Sequence, residues 1–239
     1  PTVTANANPS SPLCEGDQLT LNGSGTAGSI YSWDNSVIDN VAFTPSLGTV
    51  TYTVTSDLNG CTATDNITIT VNPTPTVTAN ANPSSPLCEG DQLTLSGSGT
   101  AGSTYSWDNS VIDNTPFTPS VGTVTYTVTA DLNGCTATDN ITITVNPAPT
   151  VTANANPSSP LCEGDQLTLN GSGTAGSIYS WDNSVIDNVA FTPSLGTVTY
   201  TVTSDLNGCT ATDNITITVN PTPTVTANAN PSSPLCEGD

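Results

Sequence analysis

The sequence contains no lysine, arginine or histidine, and this absence excludes several classes of function. Its 239 residues carry 20 Asp and Glu, so the formal net charge is −20 at pH 7. No side chain can neutralise a phosphate, and we expect no binding to nucleic acid or to an anionic membrane surface. The missing residue types also supply most general bases and nucleophilic amines of enzymes. We therefore expect a protein that is not an enzyme, with no catalytic residues and no cofactor.

Long apolar segments are missing as well. No run of apolar residues approaches the roughly 20 that are needed to cross a bilayer, so the sequence predicts no membrane span and no signal peptide. This pattern is expected of a mature or truncated extracellular region.

The seven cysteines also indicate an extracellular environment. The chain has no histidine and no Cys-x-x-Cys pair, which argues for disulfides rather than for zinc or redox chemistry. Disulfides persist in an oxidising environment, so we predict an extracellular or cell-surface location. The cysteines are Cys14, Cys61, Cys88, Cys135, Cys162, Cys209 and Cys236.

The chain is built from a tandem repeat. The segment that begins at Pro1 returns at Pro75, Pro149 and Pro223, which sets a period of 74 residues. We predict domains at 1–74, 75–148 and 149–222, and at 223–239 the first strand and loop of a truncated fourth repeat, as in a window on a longer array. Repeats one and three are identical, and repeat two differs at Ser96, Thr104, Thr115, Pro116, Val121, Ala130 and Ala148.

Each repeat centres on a predicted β-hairpin. In Gly48–Thr55, Val and Tyr alternate with Thr, which is typical of a half-buried strand. An Asn59-Gly60 turn follows, and then Ile67, Ile69 and Val71 alternate in the same way. Strands separated by Asn-Gly give one of the strongest local signals for a hairpin.

The remaining segments also read as short strands. We predict strands at 2–5, 18–22 and 30–33, with Ile30 facing outward, and one or two short strands within 37–43 that are broken by Asp39-Asn40. Nothing in the repeat has helical periodicity. About seven short strands with frequent turns predict an all-β Greek-key sandwich, with Leu21, Trp33, Tyr52 and Val54 in its core.

These residues resemble a known group of domains. Leu19-Thr-Leu, Tyr-Ser-Trp33 and Gly48-Thr-Val-Thr-Tyr52-Thr-Val look like the second, third and sixth strands of immunoglobulin-like and PKD-like domains. The longer pattern, from Cys14-Glu-Gly-Asp to Asn59-Gly-Cys-Thr-Ala-Thr, resembles the cysteine-containing Ig-like repeats of large secreted surface proteins of Bacteroidetes, a group with gliding and biofilm-forming members. The resemblance implies tandem Ig-like sandwiches arranged head to tail. It says little about function, because such repeats serve in stalks, adhesins and filaments.

Two disulfide patterns are compatible with that fold. In the implied topology Cys14 and Cys61 lie toward opposite ends of the domain, each about 20 Å from its middle, whereas a disulfide tolerates Cα separations only up to about 7 Å. Bonds between repeats would be Cys14–Cys135 and Cys88–Cys209. Bonds within repeats would be Cys14–Cys61, Cys88–Cys135 and Cys162–Cys209, and these need the flanking loops to fold back. Both patterns stay open at this point, and a Cys61–Cys88 bond would require the chain to double back.

Other polar residues are weaker candidates for a site. Asp34 and Asp39 flank a short segment and in principle form an acid–base pair, but turn residues that cap their own backbone have the same composition. Calcium is the one metal suited to a chain rich in oxygen ligands. Asp57, Asn59 and Asp65 are its candidate ligands, although the spacing lacks the alternating acids of a calcium loop.

The sequence thus predicts an extracellular structural array that forms a stalk or filament body on a bacterial surface. Its partners are the neighbouring repeats of the same chain. Identical repeated faces also favour lateral self-association into a fibre, which the charge opposes unless cations screen it. The alternative is an adhesin module that binds glycan or a partner protein through its loops.

Overall fold

A computed structural model describes residues 1–228 and 237 of the chain, and its regular secondary structure is all β. Twenty strands are described. Those of the first repeat are β1 (Val3–Asn8), β2 (Leu13–Cys14), β3 (Leu19–Gly25), β4 (Ile30–Trp33), β5 (Ala42–Phe43), β6 (Gly48–Leu58) and β7 (Cys61–Asn72). Those of the second are β8 (Val77–Asn82), β9 (Leu87–Cys88), β10 (Thr94–Gly99), β11 (Thr104–Trp107), β12 (Gly122–Leu132) and β13 (Cys135–Asn146). Those of the third are β14 (Val151–Asn156), β15 (Leu161–Cys162), β16 (Leu167–Gly173), β17 (Ile178–Trp181), β18 (Ala190–Phe191), β19 (Gly196–Leu206) and β20 (Cys209–Asn220).

The strands of the first repeat form two sheets. One sheet has the order β1-β3-β5, and the other has the order β2-β7-β6-β4. The third repeat has the same two sheets, β14-β16-β18 and β15-β20-β19-β17. Apart from the β6–β7 hairpin, consecutive strands alternate between the two sheets, as they do in an immunoglobulin-like sandwich, so the predicted fold class is confirmed.

The β6–β7 hairpin has the turn that its sequence predicts. The two strands pair without a break from Gly48↔Val71 to Leu58↔Cys61, which leaves Asn59 and Gly60 as a two-residue turn. Their φ angles are +52° and +86°, the left-handed values that a type I′ turn requires and that Asn-Gly adopts at low cost.

The core lies between the two sheets of each repeat. In the first repeat Leu21 and Val54 are fully buried, Tyr52 is buried at 4% exposure and Trp33 at 8%. The ring of Phe43 packs edge-on against Tyr52, with centroids 5.7 Å apart. Ile30 is 75% exposed, which explains how Thr104 can replace it in the second repeat.

The segment before β6 contains one of the one or two short strands predicted within 37–43, and it has a turn at the predicted break, Asp39-Asn40. Only Ala42 and Phe43 of the predicted strand region pair with β3. Asn35, Ser36 and Asn40 have φ between +51° and +61°, which is incompatible with an extended strand, so the preceding residues form turns instead. In the second repeat Pro116 replaces Ala42 and has no N–H to donate, and the pairing shrinks to the single bridge Leu93↔Phe117.

The described chain divides into two compact units. The first contains Pro1–Pro86, Gly90–Pro119 and Thr123–Thr144, and the second contains Leu87–Glu89, Ser120–Gly122 and Val145–Asp239. The predicted domain limits at 74 and 148 stay a prediction, and most of the predicted 223–239 segment lies outside the described residues. Within the described part of the chain, no helix is long and apolar enough to cross a membrane.

We predict that a buried serine weakens the first and third repeats. The hydroxyls of Ser56 and Ser204 are fully buried and have no hydrogen-bond partner among the described residues, and the second repeat has a fully buried Ala130 at this position. A buried hydroxyl without a partner costs about 1–3 kcal/mol. The double variant Ser56→Ala/Ser204→Ala should therefore raise the free energy of unfolding in urea by about 1 kcal/mol or more.

The reverse substitution is the matched control. Ala130→Ser should lower the free energy of unfolding by a similar amount, since it places the same hydroxyl at the same site. A loss of stability in the alanine double variant would show that these hydroxyls are satisfied, and would contradict the prediction.

Candidate functional site

The candidate site is the joint between consecutive repeats, where the structure places its disulfides. Cys14 bonds to Cys135 and Cys88 bonds to Cys209, each with Cα atoms 5.5 Å apart and a sequence separation of 121. Of the two patterns that the sequence leaves open, the structure has the one between repeats. Cys61 and Cys162 are free and exposed, and Cys236 lies outside the described residues.

The hairpin explains why Cys14 and Cys61 do not pair. β2 runs parallel to the end of β7, and this register sets Cys14 beside Asn72. Cys61 is the first residue of β7, 11 residues away along the strand. At about 3.3 Å per residue this is a separation of roughly 36 Å, several times the reach of a disulfide. The fold therefore prevents a bond within the repeat.

One side of each joint is the end of a repeat, which we call the tail half. In the first repeat it consists of Leu13–Glu15 and Asn72. The Glu15 N–H donates to the Asn72 carbonyl at 2.9 Å, and the Cys14 N–H donates to the Asp17 carboxylate at 2.8 Å. These bonds fix Cys14 at the end of the sheet, with its sulfur turned toward the next repeat.

The other side is the hairpin turn of the following repeat, which we call the head half. For the first joint it consists of Asn133–Cys135. The Asn72 side-chain amide donates to the Asn133 carbonyl at 3.1 Å, and the sulfur of Cys14 lies 3.8 Å from the Gly134 carbonyl oxygen. Cys135 is only 1% exposed. The joint is thus a small packed interface as well as a covalent bond.

The second joint repeats this arrangement. Asn146 donates to the Asn207 carbonyl at 3.4 Å, Cys88 sulfur lies 3.8 Å from the Gly208 carbonyl oxygen, and Cys209 is 1% exposed. The Glu89 carboxylate also accepts the Ala148 N–H at 3.2 Å, which ties the linker to the tail half.

The carboxylates of the repeat accept hydrogen bonds instead of forming ion pairs. Asp39 accepts both the Trp33 indole N–H and the Gly23 N–H at 2.8 Å, and Asp34 accepts the Thr53 N–H at 2.9 Å. Asp34 and Asp39, which the sequence offers in principle as an acid–base pair, therefore each hold a strand or loop in place. Trp33 and Tyr52 are buried in the core.

The structure does not bring the calcium candidates together. Asp57 accepts the Gly60 N–H at 2.9 Å and closes the hairpin turn. Asp65 lies farther along β7 and accepts the Ala5 N–H from the other sheet at 2.9 Å. No group of three or more metal-ligating side chains occurs among the described residues.

An open depression lies beside the loops that follow β4. In the first repeat its volume is about 470 Å³, and its apolar lining includes Val37, Ile38, Val41 and Phe43. The third repeat has an equivalent depression of about 500 Å³. Ile38 is 67% exposed and Val41 is 49% exposed in this lining.

The chain is similar to several solved structures at low sequence identity. No protein-family model matches the chain, and no curated protein matches it. The I-band fragment I67–I69 from titin aligns with a TM-score of 0.40 and 14% identity, over 87% of this chain and 94% of that one. Extracellular domains 3–5 of Drosophila OTK align with a TM-score of 0.36 and 13% identity, over 87% of this chain and 93% of that one. Fibronectin(III)-like modules of Clostridium thermocellum CbhA align with a TM-score of 0.36 and 14% identity, over 61% of this chain and 95% of that one.

Sequence reasoning missed the partners of Asn72, Asp39 and Asp65. Asn72 and Asp65 bond to residues 61 and 60 positions away, and Asp39 bonds to residues 6 and 16 positions away. All three are common turn or strand-edge residues. The one usable signal was the spacing of Asn72 from Cys14 on neighbouring strands, which needs the parallel β2–β7 register to be known first.

We predict that Asp65 and its equivalents make the fold sensitive to acid. Hydrogen bonds from the Ala5 and Asn66 backbone N–H groups lower the pKa of the Asp65 carboxyl, and Asp139 and Asp213 are shifted in the same direction by the same contacts. A carboxyl with a lowered folded-state pKa stabilises the fold above its unfolded pKa, near 4, and loses this effect as the pH falls through the folded value. The free energy of unfolding should therefore fall with pH below about 4.

The test compares the parent chain with the triple variant Asp65→Asn/Asp139→Asn/Asp213→Asn. The amide keeps an acceptor but cannot ionise, so the variant should be less stable at pH 7 and the two chains should converge in acid. Stability curves that run parallel from pH 7 to pH 2 would contradict the assignment.

Proposed function

We propose that this chain is an extracellular structural array, the stalk or filament body of a bacterial surface, whose repeats are joined by disulfides so that it carries tension. The observation that supports the proposal is the joint. Both disulfides connect consecutive repeats, and each is surrounded by the same hydrogen bond and the same buried sulfur.

Equivalent joints suit a protein whose role is to span a distance and to resist tension. Repeats one and three are identical in sequence, and the tail half and head half recur in every described repeat with the same residues. An array of this kind can change its length by whole repeats without a new interface. A disulfide also limits how far the enclosed chain extends when a repeat unfolds.

The composition supports an exposed location. Disulfides persist in oxidising compartments. The net charge of −20 keeps neighbouring arrays apart unless cations screen it, and the absence of Lys and Arg leaves no site for proteases that cleave after those residues. The proposed role is not enzymatic, because the described carboxylates hold structural hydrogen bonds.

Stretching single molecules tests this proposal. The variant Cys88→Ser/Cys209→Ser keeps one joint, and it is pulled through tags at its two termini. Because Cys14–Cys135 encloses 121 residues, the oxidised variant should reach a full extension about 420 Å shorter than the same molecule after reduction, at about 3.5 Å per residue. The measurement is the difference in contour length between the two states.

The control is the variant that also carries Cys135→Ser, whose length should not change on reduction. A bond within the first repeat would enclose only 47 residues, from Cys14 to Cys61, and would shorten the chain by about 160 Å. That smaller difference would contradict a tension-bearing bond between repeats.

The depression beside β4 supports a second candidate function, an adhesive module. Its exposed apolar lining would suit a glycan or a partner protein, and it recurs in the first and third repeats. Saturable binding on a glycan array, lost in Ile38→Asp/Ile112→Asp/Ile186→Asp, would favour this role over the structural one.

A further inference from the structure

The chain contains a chemically labile sequence, Asn followed by Gly, at the turn of every central hairpin. The three turns are Asn59-Gly60, Asn133-Gly134 and Asn207-Gly208. In such a pair the glycine nitrogen attacks the side-chain amide of the asparagine, because glycine has no side chain to hinder the approach. The product is a deamidated residue, so each turn is a potential site of spontaneous modification.

The reaction begins with ionisation of the glycine backbone N–H. The nitrogen gives its proton to the solvent and attacks the carbon of the asparagine side-chain amide. A new C–N bond closes a succinimide ring, and the amide nitrogen leaves as ammonia. Water then opens the ring to aspartate or isoaspartate. One water is consumed and one ammonia is released, with no oxidant or reductant.

The fold requires this sequence and leaves it open to water. Gly60, Gly134 and Gly208 have φ angles of +86°, +85° and +84°, in the left-handed region that glycine adopts at low cost. Both residues of each turn are exposed. Burial therefore does not keep the reaction from taking place, and a side chain that replaced the glycine hydrogen would strain the turn.

A carboxylate accepts the reactive N–H in each of the three turns. The acceptor is the aspartate three residues before the glycine. The hydrogen bonds are Gly60 to Asp57 at 2.9 Å, Gly134 to Asp131 at 3.2 Å and Gly208 to Asp205 at 3.1 Å.

This carboxylate makes the glycine N–H harder to ionise, for two reasons. The hydrogen bond stabilises the neutral N–H, and the negative charge of the acceptor repels the nitrogen anion that would replace it. The chain has no Lys, Arg or His whose charge would offset this repulsion. Aspartate is also too weak a base to remove an amide proton itself.

We propose that Asn59, Asn133 and Asn207 are latent deamidation sites, kept intact because Asp57, Asp131 and Asp205 hold the N–H that the reaction must ionise. Each aspartate is thus a positioning residue that acts through the glycine. This protection is independent of whether the array is a stalk or an adhesin.

The proposal is confined to the turns. Asn22-Gly23 in β3 has a similar hydrogen bond, from the Gly23 N–H to Asp39 at 2.8 Å. In the second repeat, however, Ser96 replaces the asparagine, and Gly97 still donates to Asp113 at 2.8 Å. In this strand the carboxylate therefore has a structural role even where no asparagine needs protection.

Deamidation at Asn133 would alter a formed joint. The Asn133 carbonyl accepts the Asn72 side-chain amide at 3.1 Å, and Cys135 follows the turn. Isoaspartate adds a methylene group to the backbone between residues 133 and 134. A two-residue turn lengthened in this way would displace the head half that Asn72 and Cys14 contact.

The second repeat allows a clean test, because Ser96 leaves residues 90–163 with a single Asn-Gly pair. The parent chain and the full-length variants Asp131→Ala and Asp131→Asn are aged in neutral buffer. They are then reduced, alkylated and cleaved after glutamate in mildly acidic buffer, and tandem mass spectrometry measures deamidation at Asn133. The parent chain, reduced and unfolded in urea, gives the unprotected rate.

Two measurements serve as controls. Fragments 16–89 and 164–237 keep their own aspartates in every variant, so their deamidation should not change. The Cys14–Cys135 bond, measured before reduction, and hydrogen exchange at the end of β12 and the start of β13 should match the parent chain. Together they show that each variant is folded and that its hairpin stays closed.

Deamidation at Asn133 should be about tenfold faster in Asp131→Ala than in the folded parent, since a hydrogen bond to a charged acceptor is lost. It should be about threefold faster in Asp131→Asn, which keeps a neutral acceptor. Equal rates in all three chains would show that turn geometry alone protects the site, and would overturn the proposal. So would slower deamidation in the variants, which would make the carboxylate a base, or faster exchange across both strand ends, which would attribute the reaction to an opened hairpin.

Discussion

The length of the central hairpin is the constraint on which the rest of the structure depends. Its strands place the turn and the tail half at opposite ends of the repeat, about 36 Å apart along β7. Two cysteines that would otherwise close a small domain on itself are thereby directed outward, each toward a neighbour. The connectivity of the array follows from the register of one hairpin and the parallel pairing of one two-residue strand.

A second constraint is the absence of cations. A fold with 20 acids and no Lys, Arg or His cannot compensate its carboxylates with ion pairs. Its carboxylates accept hydrogen bonds from N–H groups instead. Asp39 accepts the Gly23 backbone N–H and the Trp33 indole N–H, and Asp65 connects the two sheets by accepting the Ala5 backbone N–H. Hydrogen bonds to charged groups are stronger than neutral ones, so acids placed in this way contribute to stability as well as to solubility.

The sequence was sufficient for the fold because its signals are local. Alternating Thr and apolar residues, together with Asn59-Gly60, specify the hairpin, and the same pattern identifies Leu21, Trp33, Tyr52 and Val54 as core residues. The disulfide pairing could be narrowed to two patterns but not decided, because the decision depends on how β2 pairs with β7. The break at Asp39-Asn40 was predicted, whereas the positive φ angles of Asn35 and Ser36 were not.

The central claim is that the disulfides connect repeats, and its most direct test is cleavage of the oxidised, alkylated chain with a protease specific for glutamate. Cleavage after the four Glu residues gives fragments 1–15, 16–89, 90–163 and 164–237, which contain all the cysteines, and the dipeptide 238–239. The claim predicts two separate linked products without reduction, one joining 1–15 to 90–163 and the other joining 16–89 to 164–237. Bonds within repeats would instead leave all four fragments in a single linked product, and that result would contradict the account.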